Sequence, residues 1–147
     1  MPSNAYDFTI LRGKEYQKHP KDSQLASDFQ KTIDCLKQFR FTDTEIDAIF
    51  DTLVGLLYLG NLTIEDSNTA EEVNVGPLNT LTKAARYLGL GSGYLKYTLL
   101  VKVIKYPGHT IDVNNEVREA RNIKTTMMKT IYSRLFDTIN TKINATL

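Results

Sequence analysis

A chain of 147 residues with 41% hydrophobic and 24% charged residues is long enough for one core, and its composition excludes a disordered chain. Its formal net charge of +1 excludes a general electrostatic bias toward nucleic acid or anionic membranes. A single cysteine, Cys35, excludes an internal disulfide and fits a reducing, cytoplasmic setting, and no apolar run approaches the roughly 18 residues of a membrane span.

In chain order, Tyr6 to Lys21 is irregular and basic and reads as a solvated surface loop rather than an anion-binding arm. From about Ser23 the spacing of Leu25, Phe29, Ile33 and Leu36, three and four apart, predicts an amphipathic helix. Cys35, between apolar neighbours of that helix, is expected to be a buried structural thiol. Thr42-Asp43-Thr44-Glu45 is a capping box, with Phe41 and Ile46 set to form a hydrophobic staple across it. The helix it opens is apolar on most sides, and Gly60 is expected to stop it in the left-handed conformation. Leu62 and Ile64 predict a short strand. Glu65 to Gly76 is polar and acidic and reads as an exposed loop.

Pro77 opens a third predicted helix with a face of Leu78, Leu81, Ala84, Ala85 and Leu88, and Gly89 ends it. The Gly-x-Gly-x-Gly run from Gly89 to Gly93 lacks a following Lys-Ser/Thr and a preceding strand, so it reads as a turn between helices rather than a phosphate site. After a short helix from Tyr94 to Leu100, Val101, Val103 and Ile104, the turn Tyr106-Pro107-Gly108, and Thr110-Ile111 predict a β-ribbon with a polar tip. From about Asn115 to Asn144 one long helix is predicted on the stripe Ala120, Ile123, Met127, Ile131, Leu135, Ile139 and Ile143, widened by Met128 and Phe136. It would run roughly 45 Å, more than so small a domain covers, so part of its stripe is expected to face something outside the chain. The fold class is mainly α: a helical bundle with a small β-ribbon and one long C-terminal helix, residues 1–147 forming one unit.

The sequence carries no Gly-x-x-x-x-Gly-Lys-Ser/Thr loop and no His-Glu-x-x-His helix, and His19 and His109 have no cysteine cluster to join. The residues by themselves predict no catalytic centre, no metal and no cofactor.

Three stretches resemble the myosin motor head. Glu45-Ile46-Asp47-Ala48-Ile49-Phe50, continuing to Leu57-Tyr58-Leu59-Gly60-Asn61-Leu62, is similar to the family's acidic I-F run ending in L-H-L-G-N, with Tyr58 in place of the usual histidine. Leu81 to Gly89 and its sequel Leu95 to Ile104 resemble A-x-L-L-G followed by L-x-x-A-L-x-x-R-x-I. Lys129 to Asn144 resembles A-K-x-I-Y-x-R-L-F-D-W-(I/L)-V-x-x-I-N, the most specific of the three, and all occur in the family's order. The family's D-A-L-A-K becomes Thr125-Thr126-Met127-Met128-Lys129, and Thr138 stands where tryptophan is usual; these departures and the Asn-, Lys- and Ile-rich wording suit a divergent, protozoan member.

The resemblance implies a fragment of the actin-side part of the head, lying between the phosphate loop and first switch before Met1 and the second switch after Leu147. A parent motor would use Mg-ATP; the fragment has none of the three nucleotide elements and is expected to be no enzyme alone. By the same resemblance the ribbon tip Lys105, Tyr106, Pro107, Gly108, His109 and Thr110 is an actin contact. The loop carrying Glu65, Asp66, Glu71 and Glu72 is a second loop near actin, and the long helix is the strut between the ribbon and the second switch. The family has an acid or a phosphorylatable residue sixteen positions before D-A-L-A-K; counting back from Thr125 gives His109, with Thr110 beside it. Thr110 is therefore either a regulatory position or simply a β-branched strand residue. The implied partners are the actin filament and the other subdomains of the head, with no nucleic acid and no membrane, in a cytoplasmic, cytoskeleton-associated setting. Self-association of the isolated chain is a further expectation. The alternative is an independent helical interaction module related to myosin without motor activity.

Overall fold

The computed structural model describes residues 8–11, 22–66 and 73–147. Most of the basic stretch from Tyr6 to Lys21, together with Glu71 and Glu72, lies outside the described residues. After a single 3-10 turn at Thr9–Leu11, the elements are α1 (Asp22–Gln38), α2 (Asp43–Gly60), β1 (Thr63–Asp66), β2 (Val73–Gly76), α3 (Leu78–Tyr87), α4 (Ser92–Leu100), β3 (Val101–Tyr106), β4 (His109–Asn114) and α5 (Val117–Thr146). The chain is mainly helical, with two antiparallel two-stranded sheets, β1–β2 and β3–β4.

α2 begins as its sequence dictates. Thr42 accepts from the Glu45 amide, Glu45 accepts from the Thr42 amide at 2.8 Å, and the staple residues Phe41 and Ile46 are both buried. Its stop differs from the expectation. Gly60 is the last helical residue and the cap, Asn61, is right-handed at φ −78°. Residue 60 is instead a close-packed position: a Cβ there would lie 2.3 Å from Ile10 Cδ1, the tip of an exposed side chain that would have to turn aside. Tyr58, at the family's histidine position, is buried, stacked on Tyr87 at 5.8 Å between ring centroids and edge-on to Phe8 at 5.3 Å.

α1 and α3 both end in Schellman motifs. After α3, Gly89 at φ 68° donates to Arg86 O and Leu90 donates to Ala85 O. After α1, Arg40 takes the same left-handed position at φ 60°, donating to Lys37 O, while Phe41 donates to Leu36 O. Cys35 is exposed, contrary to expectation. The face that packs carries Ile33, Leu36 and Phe39, and residue 35 points away from it. Leu25 and Phe29, at the start of the predicted stripe, are also exposed, although the Phe29 ring lies against Phe50 of α2 at 4.9 Å between centroids.

The acidic stretch is shorter than one loop from Glu65 to Gly76. Glu65 and Asp66 finish β1, and Val73–Gly76 forms β2, in the register Ile64↔Val75 with both residues buried. The open edge of β1 is taken up by α5. Arg121 donates to Ile64 O through Nε at 2.9 Å and Nη2 at 2.7 Å, and Lys124 donates to Leu62 O at 2.7 Å. Burial, and after it the charge of Arg121, pushes the Lys124 ammonium below its ordinary range.

α5 serves two cores. Ala120, Ile123, Met127 and Met128 join the larger one, formed by α2, α3, α4 and the first sheet. Leu135, Ile139 and Ile143 join the smaller one around Phe41, Ile46 and Ile49. Of its predicted stripe Ala120 alone is buried; the others named are half-buried against the two cores, and Ile131 is half-buried and joins neither. The large apolar side chains of α5 that are exposed are Tyr132 and Phe136, so Phe136 does not widen the buried stripe. Since Arg40 is exposed and holds a left-handed backbone, Arg40→Gly removes a steric cost of about 1 kcal/mol, partly offset by the freer unfolded chain. A small rise in the urea midpoint is expected; a fall would show that the Arg40 side chain contributes more than its backbone costs.

Candidate functional site

The β3–β4 ribbon stands out from the body. From Val103 to Asp112 every residue is exposed, including Val103, Ile104, Tyr106 and Ile111. Its register is Val101↔Asn114 through Tyr106↔His109, leaving Pro107 and Gly108 as a two-residue turn. The proline ring confines φ to negative values, which shuts out the primed turns, and Gly108 at φ 86° completes a type II turn.

Strand alternation divides the tip residues between two faces. Tyr106 and His109 are cross-strand partners, stacked at 5.2 Å between centroids with planes 12° apart. Lys105 and Thr110 are partners on the opposite face. All six predicted tip residues, Lys105 to Thr110, therefore sit together and exposed. Glu65 and Asp66 of the predicted second loop are exposed at the end of β1, on a separate sheet.

Three ties hold the root of the ribbon, and the sequence reading missed all of them. Lys102 Nζ lies 3.0 Å from both carboxylate oxygens of Glu119 in the first turn of α5. Tyr97 of α4 donates from its hydroxyl to Asp112 Oδ2 at 2.7 Å. Asn115, the one buried polar residue among those described, donates from its backbone to Leu100 O at 2.7 Å and from Nδ2 to Leu99 O at 3.1 Å. It thereby satisfies the carbonyls at the end of α4 where the ribbon returns. Glu119 also accepts from the Glu116 amide as the distal half of a capping box. The Lys102 hydrogen bond, then the Glu116 amide, hold its carboxyl below the usual range. Hydrogen bonding to the Asp112 carboxylate, burial and the charge of that carboxylate raise the Tyr97 phenol, which stays a donor.

A cleft of about 330 Å³ lies at this root, lined by Val73, Gly93, Lys96, Tyr97, Leu100 and Asn114 among others. No acid–base pair converges in it. Among the described residues there is no group of His, Cys, Asp and Glu that could hold a metal, and no helix long and apolar enough to cross a membrane.

At its far end α5 is fixed by Lys142, which pairs with Glu45 of the α2 capping box and lies over the Phe41 ring, 4.8 Å from its centroid. One helix therefore contacts the ribbon, the first sheet and the α1–α2 corner.

Comparison with known proteins establishes the family of the chain. The family described as Myosin head (motor domain) matches residues 3–147, and the chain belongs to that family. It is 29% identical to Myosin-A of Plasmodium yoelii yoelii over 82% of this chain and 15% of that protein. It is 31% identical to Myosin IF heavy chain of Dictyostelium discoideum over 88% of this chain and 14% of that protein. To Unconventional myosin-VI of Bos taurus it is 28% identical over 94% of this chain and 12% of that protein. The chain thus spans only 12% to 15% of the length of these three relatives.

The Lys142–Glu45 tie has a pH signature. The Lys142 hydrogen bond, then the backbone and hydroxyl of Thr42, lower the Glu45 pKa from 4.5 to about 2. A carboxyl whose pKa is lower folded than unfolded adds stability above the unfolded value and loses it as pH falls through the folded one. Urea unfolding should therefore show stability declining between pH 4.5 and about 2, and Lys142→Met should flatten that decline. Equal pH slopes in the two proteins would remove the pair as the cause.

Proposed function

We propose that this chain is the actin-side helical segment of an ATP-driven, actin-based motor head, and that its own work is filament contact and transmission of strain. The observation that carries the reading is the ribbon: a fully exposed tip, from Lys105 to Thr110, fastened at its root to the first turn of a 30-residue helix. The ribbon offers the filament a basic and aromatic tip, and the acidic stretch that begins with the exposed Glu65 and Asp66 at the end of β1 is the second actin-side contact. α5 is the strut. A displacement at the ribbon would reach the α1–α2 corner roughly 45 Å away with the helix as one body.

The nucleotide chemistry of the whole motor belongs to elements that this sequence does not contain: the phosphate loop and both switches. Mg-ATP is the cofactor of the parent, which would work in the cytoplasm on the cytoskeleton. The 147-residue chain by itself should give no saturable heat with Mg-ATP in calorimetry. Micromolar binding there would overturn its assignment as a non-catalytic segment. Without the other subdomains, the exposed Phe29, Tyr132 and Phe136 favour self-association, to be read as a concentration-dependent sedimentation coefficient.

Thr110 is proposed as the regulatory position. It is exposed, and its cross-strand partner is Lys105, so a phosphate on Thr110 would add about −1.5 to −2 charges directly across from the basic group of the tip. His109 lies on the other face, stacked on Tyr106. In a complete motor head, Thr110→Glu should change the actin concentration for half-maximal ATPase activation at low salt, and Thr110→Ala should fix the unmodified value. Identical activation curves for the two variants would leave Thr110 as an ordinary strand residue.

A further inference from the structure

We propose that Glu119, through Lys102, is a positioning residue that sets the direction of the ribbon relative to α5 and so decides how the tip meets its partner. The proposal rests on the reading of the tip as an actin contact.

The two sheets of the chain are held differently. The β1–β2 sheet has Ile64 and Val75 buried, and its edge carbonyls are occupied by Arg121 and Lys124. The β3–β4 ribbon has no buried residue, so packing does not fix its angle. Beyond Asn115, which closes its root on the end of α4, what fixes it are polar ties on its two faces. On the face of Val103 and Asp112, Tyr97 reaches Asp112 from α4. On the face of Lys102 and Ile104, Glu119 reaches Lys102 from α5. Tyr97 anchors the ribbon to the body. Among the described residues only Glu119 makes a side-chain bond from α5 to the ribbon.

The geometry makes that bond directional. Both Glu119 oxygens lie 3.0 Å from Lys102 Nζ, and one of them also accepts from the Glu116 amide at 3.2 Å. The carboxylate is thus oriented by the start of the helix itself, and a rotation of α5 carries it along. The side chains of the pair are about two-fifths exposed, at 42% and 44%. An exposed ion pair contributes little to global stability, so its value here lies in fixing an angle.

The test uses a complete motor head carrying this chain, with Lys102→Met, Glu119→Gln, the double variant, Lys102→Arg, and Lys105→Ala as a tip control. Glutamine at 119 keeps the acceptor that caps α5 but removes the charge and the second acceptor oxygen that hold Lys102, so the clamp is weakened while the start of α5 is preserved. Each single clamp variant should raise the KM for actin by about 3- to 10-fold, with kcat at saturating actin unchanged, and the double variant should be no worse than the worse single, as coupled sites require. Lys102→Arg should keep the native KM. Hydrogen exchange should quicken over residues 102–113 in Lys102→Met and Glu119→Gln and stay unchanged over residues 120–146. If exchange in the ribbon is unaltered, the clamp is refuted whatever the kinetics. If exchange quickens and Lys105→Ala raises KM while neither clamp variant does, the ribbon's angle does not govern contact and the proposal falls. If exchange quickens but Lys105→Ala also leaves KM unchanged, the clamp stands and the assignment of the tip to actin fails instead.

Discussion

The apolar stripe of α5 runs through 30 residues, while no other helix here exceeds 18, so no single neighbour can cover it. The chain meets that constraint by dividing its core. Ile123, Met127 and Met128 face one cluster, and Leu135, Ile139 and Ile143 face another, with α2 contributing to both. In proteins most of a helix's stability comes from the packing of its apolar face rather than from propensity, so α5 holds together because both clusters exist. They in turn share α5 as a common wall. The polar ties follow the same division: Glu119, Arg121 and Lys124 act at the first half, Lys142 at the second.

How much of this was legible in the sequence depended on whether the signal was local. The α2 capping box, Gly89 as a helix stop, the Pro107-Gly108 turn and the extent of α5 are written in adjacent residues, and each forms as read. Gly60 was misread because a glycine near a helix end need not be its left-handed cap: the helix runs through Gly60, and Asn61 caps it in the right-handed conformation. Cys35 was misread because apolar sequence neighbours do not place a residue on the buried face; the three- and four-residue spacing does, and residue 35 lies off it. β2 was hidden by its acidic surroundings, although the alternation of Val73 and Val75 was its signal.

The candidate site was legible in outline. The family resemblance and the turn chemistry located the tip, and the register pairs Lys105 with Thr110 and Tyr106 with His109 as cross-strand neighbours. The root was not legible. Lys102 and Glu119 are 17 residues apart, and Tyr97 and Asp112 are 15 apart. Charged or polar partners at such separations carry no periodic pattern. In the sequence Asn115 marks only the approximate start of the long helix, and its bonds to Leu99 and Leu100 follow from the meeting of α4 and β4, which no local pattern announces.

The bonds from Arg121 and Lys124 to the carbonyls of Ile64 and Leu62 carry a consequence for solubility. An unsatisfied strand edge is a template on which another chain can lay a strand, and such growth leads to fibrils. Here the acceptors along one edge of β1 are already occupied by side chains from within the same molecule, one of them through two guanidinium nitrogens. Strand addition there would have to displace these bonds. α5 thus covers the part of that edge at Leu62 and Ile64 where an added strand would otherwise find its acceptors.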